Sequence, residues 1–176
     1  QLEKFFNLFK KYENVNELDL SENKYLIDFP ILDKLKNIEK LNVSDTCISD
    51  ISFLEKRNNI KELKLRKCES IDDFNPLFNL NKLESLILSF TNISDISFLE
   101  NIKNIKVLGL YNAKNITDFK PIYNLHNLEV LELGDTYISD ISFLENIKNI
   151  KELSLRYNEI EDFSPLFYLN KLELLN

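Results

Sequence analysis

Methionine and tryptophan are absent from this chain of 176 residues, which has one histidine and two cysteines. Zinc needs closely grouped Cys and His ligands, and Cys47, Cys68 and His126 stand far apart in the sequence. A lone histidine in a turn segment is a solvated side chain before it is a general base, so no catalytic set emerges. Two glycines and four prolines leave no glycine-rich phosphate loop and no flexible linker to divide the chain. No run of about 18 apolar residues occurs, so no segment reads as a membrane-spanning helix, and no secretory leader is visible. Positive charge is also short: Lys and Arg number 22 against 29 Asp and Glu, a formal net charge of -7. A nucleic-acid surface wants a basic stripe, so the balance argues against one; it is compatible with a basic protein partner but does not require one. The chain opens at Gln1 and stops within a repeat, which predicts a piece cut from a longer protein.

What the chain has instead is repetition. The segments TCISDISFLE, TNISDISFLE and TYISDISFLE start at Thr46, Thr91 and Thr136, 45 residues apart. Self-similarity at a fixed period marks a repeat array. Each block divides into two units of 22 or 23 residues, beginning at Val15, Ile38, Ile60, Leu83, Ile105, Leu128, Ile150 and Leu172. Every unit opens with an apolar residue, two variable residues, a Leu, one variable residue and another apolar residue, as in LESLIL from Leu83. Alternation across Leu86, Ile87 and Leu88 predicts a short strand. A ladder position follows at Asn23, Thr46, Cys68, Thr91, Ala113, Thr136 and Asn158. An Asp then recurs at 28, 50, 73, 95, 118, 140 and 162, always before Ile or Phe.

These residues are similar to LxxLxLxx(N/T/C)xI, the leucine-rich-repeat signature, and the extension ISDISFLENIKN resembles the 22-residue units of bacterial internalins. The protein-phosphatase-regulator type is a looser match. The resemblance covers Val15 to Asn176. It implies an α/β solenoid: a leucine-rich-repeat horseshoe with a parallel concave β-sheet and short 3-10 or loop segments on the convex side. It also implies a module that binds proteins, with no enzymatic activity and no cofactor. Internalin-like modules are bacterial surface or secreted proteins that bind host or neighbouring-cell proteins, so a cell-surface or secreted location is favoured. The phosphatase-regulator likeness implies the alternative, an intracellular scaffold or regulatory subunit.

The pattern also yields structural expectations. Ladder side chains are expected to bond backbone groups of the neighbouring unit. Ala113 cannot, which predicts a water or a backbone shift there. The recurring Asp residues are expected to cap the turn after them, with lowered pKa values. They lack the convergent ligands of a Ca²⁺ site. Cys68, at a ladder position, and Cys47 are expected to diverge and stay unbridged. Leu2, Phe5, Phe6, Phe9 and Tyr12 form a helical stripe. Residues 1–14 are therefore expected to be a capping helix over the first exposed core face, with seven complete units and a truncated eighth in 15–176.

The third, fifth, seventh and eighth residues of each unit are expected on the concave surface, free of the core. In the first three units they are polar. Then Ile87, Phe90, Val107, Tyr111 and Val130 come together, with Arg156 and Tyr157 nearby. An exposed aromatic and aliphatic cluster with a charged rim is the composition of an interaction site. These seven residues are the candidate partner-binding set. Gly109 and Gly134 are expected to leave shallow hollows beside it.

Overall fold

The computed structural model describes residues 14–27 and 35–176. Residues 1–13 of the expected capping helix, and Asp28, fall outside them. Eight strands make one parallel sheet in sequence order: β1 (Glu17–Asp19), β2 (Lys40–Asn42), β3 (Glu62–Lys64), β4 (Ser85–Ile87), β5 (Val107–Gly109), β6 (Val130–Glu132), β7 (Glu152–Ser154) and β8 (Leu174–Leu175). Each strand is short because only its central residues alternate between core and surface. Leu41, Leu63, Leu86, Leu108, Leu131 and Leu153 stand opposite one another in register, and all are buried. The strand of the fourth unit begins at Ser85, one residue earlier than the alternation suggests. Its hydrogen bonding continues beyond Ile87, since Leu88 N–H donates to Gly109 O at 2.7 Å.

The return path carries 3-10 turns. In six units a recurring Asp accepts the backbone N–H of the residue two places on: Asp50 from Ser52, Asp73 from Asn75, Asp95 from Ser97, Asp118 from Lys120, Asp140 from Ser142 and Asp162 from Ser164, at 2.7–2.9 Å. These bonds satisfy donors that the start of a turn leaves free. They hold the carboxyls of Asp50, Asp95, Asp140 and Asp162 below their ordinary range, the backbone bond from the Ser two places on being the largest cause.

The ladder differs from expectation. Thr46, Thr91 and Thr136 donate within their own units, to Val43, Leu88 and Leu133 O, each at 2.7 Å. Cys68 Sγ and Asn158 Nδ2 do reach the preceding unit, to Val43 O and Leu133 O. Ala113 needs no water or shift. The carbonyl it would have served, Leu88 O, is already bonded by Thr91, and Ala113 N–H bonds Leu110 O at 3.0 Å. Cys68 is buried, Cys47 is exposed, and both are free thiols.

Units alternate in kind, and so do the seams between them. The second residue runs Glu39, Lys61, Glu84, Lys106, Glu129, Lys151, Glu173. Each Lys pairs with the Glu before it: Lys61 with Glu39 at 2.8 Å, Lys106 with Glu84 and Lys151 with Glu129 at 2.7 Å. The other seams carry aromatic contacts on the opposite side. Phe78 meets the buried Phe98 edge-on, and Tyr123 stacks on the buried Phe143, with centroids 6.0 and 5.4 Å apart.

Candidate functional site

Leaving the strand requires a reversal of the backbone. The eighth residue of seven successive units lies in the left-handed region: Glu22, Asp45, Lys67, Phe90, Asn112, Asp135 and Tyr157, with φ between 55° and 64°. Cross-unit hydrogen bonds lock it there, as in Phe90 N–H to Tyr111 O at 2.8 Å and Asn112 N–H to Gly134 O at 2.9 Å. Asn and Asp suit this conformation, whereas a bulky residue does not. Asp45, Asn112 and Asp135 follow that local logic; the bulky Phe90 and Tyr157 go against it.

The Phe90 ring is enclosed on two sides. Tyr111 lies 5.2 Å away, centroid to centroid, tilted by 51°. The Arg66 guanidinium carbon stands 5.2 Å from the Phe90 centroid, and the Lys67 ammonium 6.0 Å. Both cations are anchored on Asp45, at 3.2 and 3.1 Å. Beyond Tyr111, Asn112 donates to Asp135, which also pairs with Lys114 at 2.9 Å. The Lys114 bond, chiefly, holds the Asp135 carboxyl below its ordinary range and raises the Lys114 ammonium above its own.

Ile87, Phe90, Val107, Tyr111 and Arg156 line one open groove across the concave face. Val130 pairs with Val107 in the sheet but does not line the groove, and neither does Tyr157, which is 71% exposed. Ile87, Phe90, Val107, Tyr111 and Val130 are half-buried rather than exposed. The expected hollows at the glycines are filled. A Cβ on Gly109 would stand 2.9 Å from Ile87 Cδ1, and one on Gly134 would stand 2.8 Å from Tyr111 Cδ2. The missing side chains let neighbouring side chains lie flat on the sheet. Ser89 and Ser154 in the floor, with Lys64 and Arg66 at one end, also line the groove. Position alone could have included them, since they occupy fifth and seventh places in their units.

The site offers binding chemistry. Among the described residues no group of three His, Cys, Asp or Glu is arranged to hold a metal ion. His126 is exposed, its Nδ1 lying 3.4 Å from Asn146 O. No helix among the described residues is long and apolar enough to cross a membrane.

Parallel three-residue strands, Asp-capped 3-10 turns and a buried ladder position define a leucine-rich-repeat solenoid. The family described as leucine-rich repeats (two copies) matches residues 103–146 and 126–168. Internalin C2 from Listeria monocytogenes is 32% identical over 93% of this chain and 71% of its own, with a TM-score of 0.83. Internalin InlF from the same organism is 31% identical over 94% of this chain, with a TM-score of 0.85. This chain spans 48% of InlF, about half its length. A leucine-rich-repeat protein from Leptospira interrogans is 27% identical, with a TM-score of 0.79, over 94% of this chain and 44% of that one. No curated protein sequence matches significantly. The chain belongs to the internalin family of leucine-rich-repeat proteins.

Proposed function

We propose that this chain is a non-enzymatic recognition module of a bacterial surface or secreted adhesin-type protein, binding a protein partner through its concave groove. Stacked repeats present extended concave surfaces suited to such binding, and the likeness to Listeria internalins supports the bacterial setting. The observation that carries the reading is Phe90. Its ring sits on a left-handed backbone position, beside Tyr111 and beneath anchored cations. A bulky residue kept where the backbone prefers Asn points to selection for something other than the fold. Aromatic and Arg side chains are also the residue types that dominate interface energetics. Candidate contacts are Ile87, Phe90, Val107, Tyr111 and Arg156, with Val130 and Tyr157 as flanking positions.

The test is a pull-down with wild type and the Phe90→Ala/Tyr111→Ala variant, from host-cell surface proteins and separately from bacterial lysate. The expected result is a host-surface protein held by wild type, with binding weakened by more than about 2 kcal/mol in the variant. A cytoplasmic protein held only by wild type would favour an intracellular scaffold instead. Equal retention by both forms would dismiss the groove as the site.

A further inference from the structure

Places 45 residues apart are equivalent in this array. Three charged residues recur on either side of the groove's centre: Glu62 and Glu152, Arg66 and Arg156, Asp45 and Asp135. The places midway between them hold Val107, Tyr111 and Phe90. Ile87 joins these three, and all four are half-buried along the groove. The fold accepts charge at the same places in neighbouring units, so packing does not demand the apolar set.

The four side chains form one strip that runs along the strands. Val107 opens β5 and Ile87 closes β4. Further on, the Phe90 and Tyr111 rings meet, with centroids 5.2 Å apart. At about 3.3 Å per residue, the stretch from Val107 to Tyr111 measures about 13 Å. Charged side chains wall the strip on both sides: Lys64 and Arg66 before β4, Glu132 and Arg156 beyond β5. β4 and β5 are interior strands, paired on both sides, so their backbone groups are spent. The Ser89 hydroxyl, also in the groove, is buried out of reach. An extended peptide laid on the strip would therefore find no partners there for its own N–H and C=O groups. Such peptides add to a sheet edge instead. A helix bonds its backbone internally and needs only an apolar floor. Helices are also what ordinarily covers the face of a parallel sheet. Residues i to i+8 of a helix rise about 12 Å, which matches the strip.

We propose that the partner enters the groove as an amphipathic α-helix lying along β4 and β5, with its apolar stripe on Ile87, Phe90, Val107 and Tyr111. This rests on the groove being the partner site and specifies what occupies it. The charged walls limit the stripe to the width of one helix face.

Two peptide display libraries, one of linear random sequences and one with a randomised face on a fixed helical scaffold, are panned on the full chain. Counter-selection uses the variant Phe90→Asp/Val107→Glu/Tyr111→Arg. It carries only residues that the equivalent places already hold, so it is expected to stay folded, which circular dichroism checks. Sequences retained by wild type alone are expected to carry apolar residues at i, i+4 and i+7 or i+8. Those from the linear library are expected to bind as helices, read by transferred nuclear Overhauser effects. Proline at the centre of such a peptide is expected to weaken binding about a hundredfold. Retained peptides that bind extended, or that tolerate the central proline, overturn the helix while the groove stands. Failure of both libraries to yield a peptide that distinguishes wild type from the variant overturns both.

Discussion

Replacing Phe90 by Asn separates a ring kept for the fold from a ring kept for a partner. At φ 59°, a residue bearing a Cβ gives up about 1–2 kcal/mol, a penalty that Asn largely escapes. The next unit already uses Asn there, at Asn112 with φ 58°. Against this gain stand three losses. The contact with Tyr111 at 5.2 Å is worth about 0.5–1.5 kcal/mol. The Arg66 cation over the ring is worth about 0.5–1 kcal/mol. The ring is half-buried, which is worth about 1 kcal/mol more. The losses exceed the gain by about 1 kcal/mol, so Phe90→Asn is expected to cost about that much in urea denaturation followed by far-UV circular dichroism, with an unchanged m value. So small a cost together with lost partner binding is the signature of a residue that serves binding more than the fold. A loss above about 3 kcal/mol, the range of a core Phe truncation, would make the ring a structural element and refute the reasoning.

Leu108→Ala should cost roughly 2–5 kcal/mol, because the side chain is fully buried between Leu86 and Leu131 and truncation leaves a cavity. Val107→Ala on the same strand, half-buried at the groove, should cost clearly less in the same denaturation experiment; equal costs would mean that the register is misread. Gly134→Ala places a methyl 2.8 and 2.9 Å from two Tyr111 ring carbons, with Arg156 O at 3.2 Å. The ring must move, so ring-current shifts of Phe90 and Tyr111 protons should change, with about 1–3 kcal/mol of destabilisation by overpacking. Acid should weaken the protein through the Asp caps. The lowered carboxyls of Asp50, Asp95, Asp140 and Asp162 leave the unfolded chain binding more protons than the native one as the pH falls. Their contribution is complete above about pH 4 and is lost as the pH drops through the lowered values. In pH-dependent denaturation Asp95→Asn should show a shallower decline below pH 4 than wild type.

The fold was legible because its causes repeat at short range. Leu86, Leu108 and Leu131 announce the same buried row three times, and each Asp cap depends on a residue two places away. The groove was legible as a set of positions and not as a shape. Alternation along a strand assigns a face to Ile87. It gives no direction for Phe90, whose left-handed backbone takes it out of that alternation. The glycines mislead for a related reason: an absent side chain in the sequence invites a neighbour into the space, and only the structure names Ile87 and Tyr111 as the occupants. Ser89 reads as a polar surface residue until its burial and unbonded hydroxyl are seen. Ala113 reads as a defect until Thr91 is found serving the carbonyl beside it.

The alternation of seams has a consequence for how such a chain can grow. Removing one unit would set Glu39 beside Glu84, or Lys61 beside Lys106, and would part Phe78 from Phe98. Removing two neighbouring units together brings matching edges back into contact. Each ion pair is worth little on an exposed surface, yet a one-unit slip would set like charges side by side at the new junction and break a ring contact. The array is thus written in couplets, and its length can change without penalty only by whole couplets.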